Sequence, residues 1–102
     1  MAIQNTLLAN TTPTSIFTAS NQQALTVIYL CNTSAAPVTI NVYLSPDSNV
    51  SVSNTIYSSL ELTANDTYII SQEKLILDTG NQVLVEANVA NAVTATVSFI
   101  TI

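Results

Sequence analysis

The stretch "VTINVYLS", residues 38–45, alternates without a slip. Val38, Ile40, Val42 and Leu44 fall on one face, and Thr39, Asn41, Tyr43 and Ser45 on the other. Successive side chains of a strand point to opposite faces, so this rhythm predicts a half-buried β-strand. It returns in "QVLVEANV" (82–89), with Val83, Val85, Ala87 and Val89 inward and Leu84, Glu86 and Asn88 outward. It returns again in "VTATVSF" (93–99), where Val93, Ala95, Val97 and Phe99 oppose Thr94, Thr96 and Ser98. A fourth run, "ALTVIYLC" (24–31), is apolar on both faces, with Leu25, Val27, Tyr29 and Cys31 on one and Ala24, Thr26, Ile28 and Leu30 on the other. Such a strand is either central and covered on both sides, or it turns one face to a partner.

Outward from these runs, the chain reads as strands near 3–9, 15–19, 24–31, 38–45, 55–62, 67–71, 74–77, 82–89 and 93–102. Clusters such as "NTSAAP", "SPDSNVSVSN", "TAND" and "DTGN" separate them, supplying Pro, Asn, Asp and Ser for turns. No stretch repeats at 3.6 residues, and "SQEKLIL" would make at most one helical turn. Many short strands in 102 residues predict an all-β chain, a single antiparallel two-sheet β-sandwich over 1–102. Both an immunoglobulin-like and a jelly-roll-like strand order stay open. There is no Trp and only one Cys, so the immunoglobulin core signature is missing. Residues 1–14 read as an edge strand or as an arm exchanged between subunits.

With one Gly in the chain, turns that need positive φ must draw on Asn. Asn32, Asn49, Asn54, Asn65 and Asn91 stand at such places. Gly80 itself sits in "LDTGN", where a hairpin joining 75–77 to 83–89 needs φ > 0. Lys74, the only basic residue, reads as a surface partner for Glu61, Glu73 or Glu86, or as a charge guarding a strand edge.

Composition removes most chemistry. Net charge is −5, from six acids and one Lys, with no Arg. Nucleic-acid binding needs clustered Lys and Arg to displace counterions, and anionic membranes need the same, so neither is an expected partner. No apolar run approaches the roughly 20 residues of a membrane helix, and the start lacks a basic n-region, so the expectation is a protein made in a cytoplasm. There is no His, which removes the usual general base and the commonest metal ligand. One Gly and one Lys permit no phosphate loop. Of the acids, Asp47, Asp66 and Asp78 lie in turn signals, and Glu61 and Glu86 on outward strand faces. They read as solvated and structural rather than as a glycosidase pair. "SPDSN" and "TANDT" offer oxygens to Ca²⁺ but match no calcium-loop spacing. No cofactor is expected, and no enzyme activity. Cys31 reads as a small buried thiol.

Several segments together carry a resemblance: Asn32–Ser34, Val38–Leu44, Leu62–Tyr68, Glu73–Leu77, Gly80–Val83 and Val93–Ser98. From Ala24 onward the chain resembles small virion structural proteins of tailed bacteriophages, of the marine and cyanobacterial phage type. It departs from their pattern at Gly80–Asn81, where they often carry Gly-Asp. The resemblance implies a virion component. A decoration (cement) protein on the head is the lead expectation, because a small β domain without a fibre repeat suits attachment to a shell. A tail, neck or baseplate subunit is the alternative. A host-surface or carbohydrate-binding module is a third, and would use exposed aromatics, with Tyr43 and Tyr57 the outward pair. Expected partners are other copies of the chain, a trimer by analogy with decoration proteins at large, and the major capsid protein. A low-charge chain suits such contacts, because few charges need desolvating. Leu25, Val27, Tyr29, Ile100 and Ile102 are the candidate interface residues.

Overall fold

The computed structural model describes residues 2–47, 49–71 and 75–102. Nine strands follow one another: β1 (Ala2–Leu7), β2 (Thr14–Thr18), β3 (Gln23–Asn32), β4 (Val38–Ser45), β5 (Thr55–Leu62), β6 (Thr67–Ile70), β7 (Leu75–Leu77), β8 (Gln82–Ala87) and β9 (Val93–Thr101). One 3₁₀ turn, Val52–Asn54, precedes β5. The expectations for Lys74 lie outside the described residues.

The strands form two antiparallel sheets packed face to face. One has the order β1-β9-β3-β6, with β7 also on β3; the other runs β2-β8-β4-β5. β6 pairs with Ile28–Cys31 and β7 with Gln23–Leu25, so together they make one edge, which breaks after Ile70 where Ser71 leaves the strand. The first strand therefore pairs with the last, β2 with β8, β3 with β6/β7, and β4 with β5. This is one long hairpin rolled over itself, with nested pairs alternating between sheets, which is the strand order of a jelly roll. An immunoglobulin order does not describe it.

The core lies between the sheets. Ile28, Leu30, Val93, Ala95 and Val97 enter from one, and Val38, Ile40, Val42, Val83 and Val85 from the other; all are buried. Each fully buried Val, Leu or Ile contributes about 1.5–3 kcal/mol by leaving water. Phe17 and Phe99 meet across the gap at 4.8 Å, and Tyr57 meets Tyr68 edge-on at 5.9 Å.

Three expectations about sides need correction. β3 carries a bulge between Leu25 and Val27 against β9. The extra residue shifts the alternation, so Leu25 points into the core together with Ile28 and Leu30, while Val27, Tyr29 and Cys31 point outward. Leu25 is accordingly a core residue, and the Cys31 thiol is half-buried on an outer face rather than enclosed. Val89 is exposed because β8 ends at Ala87. Finally, β7 and β8 belong to different sheets, so "LDTGN" crosses between sheets and is not a hairpin. Gly80 still takes φ +91°, closing a turn in which Asn81 N donates to Asp78 O at 3.0 Å. Asn65 and Asn91 also take positive φ, as does Ser59 in β5, which the sequence did not suggest.

Candidate interaction face

The functional surface is read from which side chains the sheet leaves uncovered. The register fixes the outer side of β1-β9-β3-β6/β7 strand by strand. Ile3 lies opposite Ser98, Asn5 opposite Thr96 and Leu7 opposite Thr94. Val27 lies opposite Ser98, Tyr29 opposite Thr96, Cys31 opposite Thr94 and Ala24 opposite Ile100. Tyr29 then faces Ile69 of β6, and Ala24 faces Ile76 of β7. Ile102 continues the outward series of Ser98 and Ile100, its N–H donating to Gln22 O at 2.9 Å.

Among the described residues, seven of the ten exposed large apolar side chains lie on this one face: Ile3, Leu7, Tyr29, Ile69, Ile76, Ile100 and Ile102. Ile3 is 69% exposed, Ile76 65% and Ile69 52%. Singly exposed apolar residues are ordinary, but a contiguous patch on one sheet is a mark of an interaction surface. Among the described residues the face carries no charge. Glu61 and Glu86 sit on the outer side of the other sheet, and Asp47, Asp66 and Asp78 in loops. An interface here would desolvate hydroxyls and alkyl groups, not ions.

Of the candidate interface residues, the structure places Val27, Tyr29, Ile100 and Ile102 on this face and removes Leu25 from it. It adds Ile3, Leu7, Ile69 and Ile76. These could not be collected from the sequence, because β6, β7 and β1 reach the face only through pairings of high sequence separation. The signal at Ile69 and Ile76 was local alternation in strands of only four and three residues, too short to stand out.

The opposite sheet is built for itself. Tyr43 and Leu84 face each other in the register and are both buried, though on the outer side. The Tyr43 hydroxyl donates to Glu86 Oε1 at 2.8 Å, and Asn41 Nδ2 donates to the same oxygen at 3.2 Å. Burial first, and then the Glu86 carboxylate, push the Tyr43 phenol above its ordinary value. Tyr57 is half-buried against the core. Tyr43 and Tyr57 therefore do not form the outward pair expected for a sugar platform. Asp47 accepts from Asn49 N and Nδ2 at 3.2 and 3.1 Å, and these bonds hold its carboxyl below the usual range. Asp66 accepts from Thr67 N at 2.9 Å. Among the described residues no three Cys, Asp or Glu side chains come together as metal ligands would. Asn41, Thr39, Glu86 and Asn88 border a shallow hollow of about 170 Å³, to whose lining Glu86 alone contributes a carboxylate.

No family model matches the sequence, and no curated protein matches it.

Proposed function

We propose that the chain is a non-enzymatic structural subunit of a bacteriophage virion, a decoration (cement) protein. It sits on the head through the outer face of β1-β9-β3-β6/β7, its partners being the major capsid protein and further copies of itself. One observation carries this reading: among the described residues most of the exposed large apolar side chains gather on one sheet face that carries no charge, while the acids lie elsewhere. A subunit that only adheres needs one dry face toward the shell and one polar, acidic face toward solvent. A jelly roll is a framework used by viral capsid domains, but also by lectins and cupins, so the fold supports the reading without selecting it. The resemblance of Asn32–Ser34, Val38–Leu44 and Glu73–Leu77 to small phage virion proteins supports a virion component, and a small β domain without a fibre repeat favours decoration among the virion roles.

The test is the copy number of the chain in purified particles. Hundreds of copies are expected for decoration of a shell. About a dozen or fewer would replace it by a tail, neck or baseplate position, where small closed rings set the count. Absence from the particle would end the virion reading and return the host-surface module.

A further inference from the structure

The two sheets have four edges: β1 and β6/β7 in one, β2 and β5 in the other. An open edge is a template for another strand unless it is broken, bulged, charged or flanked by Pro. Three edges carry such devices. β2 follows Pro13, and its register slips between Ser15 and Phe17. β5 slips twice against β4, holds Ser59 at φ 55°, and presents the exposed Glu61. The β6/β7 edge breaks after Ile70, where Ser71 leaves the strand. β1, "AIQNTL", has none of them: its six residues pair with β9 in unbroken register, without charge and without Pro.

The direction of its free groups follows from Leu8. Leu8 N donates to Val93 O at 2.9 Å, and Leu8 O accepts from Asn91 N at 2.9 Å, so Leu8 turns both groups toward β9. Alternate residues of a strand turn theirs the same way. Thr6, Gln4 and Ala2 therefore also bond inward, and Ile3, Asn5 and Leu7 direct N–H and C=O off the sheet.

We propose that β1 pairs antiparallel with β1 of a second copy of this chain, across a two-fold axis at Asn5. Asn5 then meets Asn5, and Ile3 meets Leu7 on both sides of the axis. Three outward N–H groups on each copy meet three C=O groups on the other, six bonds in all. The same register sets the exposed Ile3 of one copy against the exposed Leu7 of the other, an apolar cross-strand contact made twice. The axis stands perpendicular to the sheet, so both uncharged faces stay on one side. The result is one sheet with the order β6/β7-β3-β9-β1 and its symmetry mate, and a docking platform of twice the width. A like-with-like edge gives two-fold closure, in place of the three-fold symmetry of decoration proteins at large.

The contact is modest. Six residues at ~3.3 Å span about 20 Å. Across a sandwich of two sheets ~10 Å apart with their outer side chains, this gives roughly 400 Å² per copy, about half the standard interface. Reversible, concentration-dependent association follows. The inference deepens the self-association named under the proposed function and does not depend on the particle. A failed dimer leaves the copy-number test standing, and the reverse also holds.

Sedimentation equilibrium of the full chain from about 10 μM to about 1 mM tests it. The expected mass rises from 10.8 kDa toward twice that value. Asn5→Pro removes the central outward N–H and keeps the backbone bonds to β9, losing there only the side-chain bond that Thr96 Oγ1 donates to Asn5 Oδ1 at 3.0 Å, and Ile3→Lys places a charge on the edge. Each is expected to weaken the dimer at least about tenfold. Val52→Lys, exposed and off the sheet, and Ile76→Lys, at the far side of the face, keep it. If Asn5→Pro fails to fold by circular dichroism, Ile3→Lys decides. A monomer throughout, a trimer mass, or a dimer that survives in the folded edge variants overturns the proposal. So does a dimer lost in Ile76→Lys but kept in Asn5→Pro, which would mean face-to-face packing.

Discussion

Asn32 is the buried polar residue on which two loops depend. It is fully enclosed at the end of β3. Its Nδ2 donates to Ala36 O at 2.8 Å, Leu62 O at 3.0 Å and Thr63 O at 3.2 Å. Its Oδ1 accepts from Ser34 N at 3.0 Å and Ser34 Oγ at 2.7 Å. One amide thereby ties the β3–β4 loop to the end of β5. Asn32→Asp keeps the shape but turns a carboxylate toward three carbonyl oxygens. Leaving buried groups unpaired costs about 1–3 kcal/mol each, more where charge is involved. A loss of about 3 kcal/mol is expected at pH 7, which lowers Tm by more than about 10 °C in a domain of this size. Burial favours the neutral acid, so the folded pKa of the new Asp lies above its unfolded value near 3.9. The stability penalty is therefore smallest below that value and grows as pH rises. Equal melting of wild type and variant at pH 7 would remove Asn32 from this role. From sequence, Asn32 was marked only as a turn residue; that it is a buried clamp depends on Leu62 and Thr63, thirty residues away. Gly80 is the contrary case. Its positive φ was legible from "DTGN", and an added Cβ would meet nothing within 4 Å, so its need is conformational alone.

At the scale of elements, the strands were legible because alternation is a local property. All nine lie where the rhythm places them, with ends shifted by a residue or two. What was not legible was the side each strand turns inward, wherever an extra residue interrupts it. In β3 the bulge at Thr26 places Leu25 and Ile28 on the same side, although they sit at positions of opposite parity. Both faces of "ALTVIYLC" are apolar, so the sequence gives no sign of the switch. β2 does the same, burying both Ile16 and Phe17 around its irregularity. Thr26 Oγ1 donates to Ser98 O and Oγ at 3.1 and 3.0 Å, anchoring the bulge. Deleting Thr26 should therefore be tolerated. It joins Leu25↔Phe99 directly to Val27↔Ser98 and leaves every side chain on its side. Deleting Thr94 from the unbulged end of β9 reverses part of that strand across the core. We expect the Thr26 deletion to fold with a loss of about 1–2 kcal/mol, and the Thr94 deletion not to fold. Thermal melting followed by near-ultraviolet circular dichroism separates them; failure of both, or success of both, would contradict the bulge account.

For the whole molecule, the sequence carried the fold class but not the strand order, because the order is set by pairings such as β1 with β9 that leave no local trace. The same pairings create the candidate face. Ile3, Tyr29, Ile69, Ile76 and Ile100 are scattered through the chain and become neighbours only when three strands and a broken edge line up. Among the described residues, the polarity of the molecule, dry and uncharged on one sheet and acidic on the other, emerges at this scale alone. It is the feature on which the proposed role in a particle stands. Reconstruction of the assembled virion by electron cryomicroscopy, with this fold placed in the density, tests that role most directly. The expected result has Ile69, Ile76 and Ile100 packed against the shell and Glu61 and Glu86 in solvent. A subunit seated the other way round, or one whose β1-β9-β3-β6/β7 face is open to water, would contradict it.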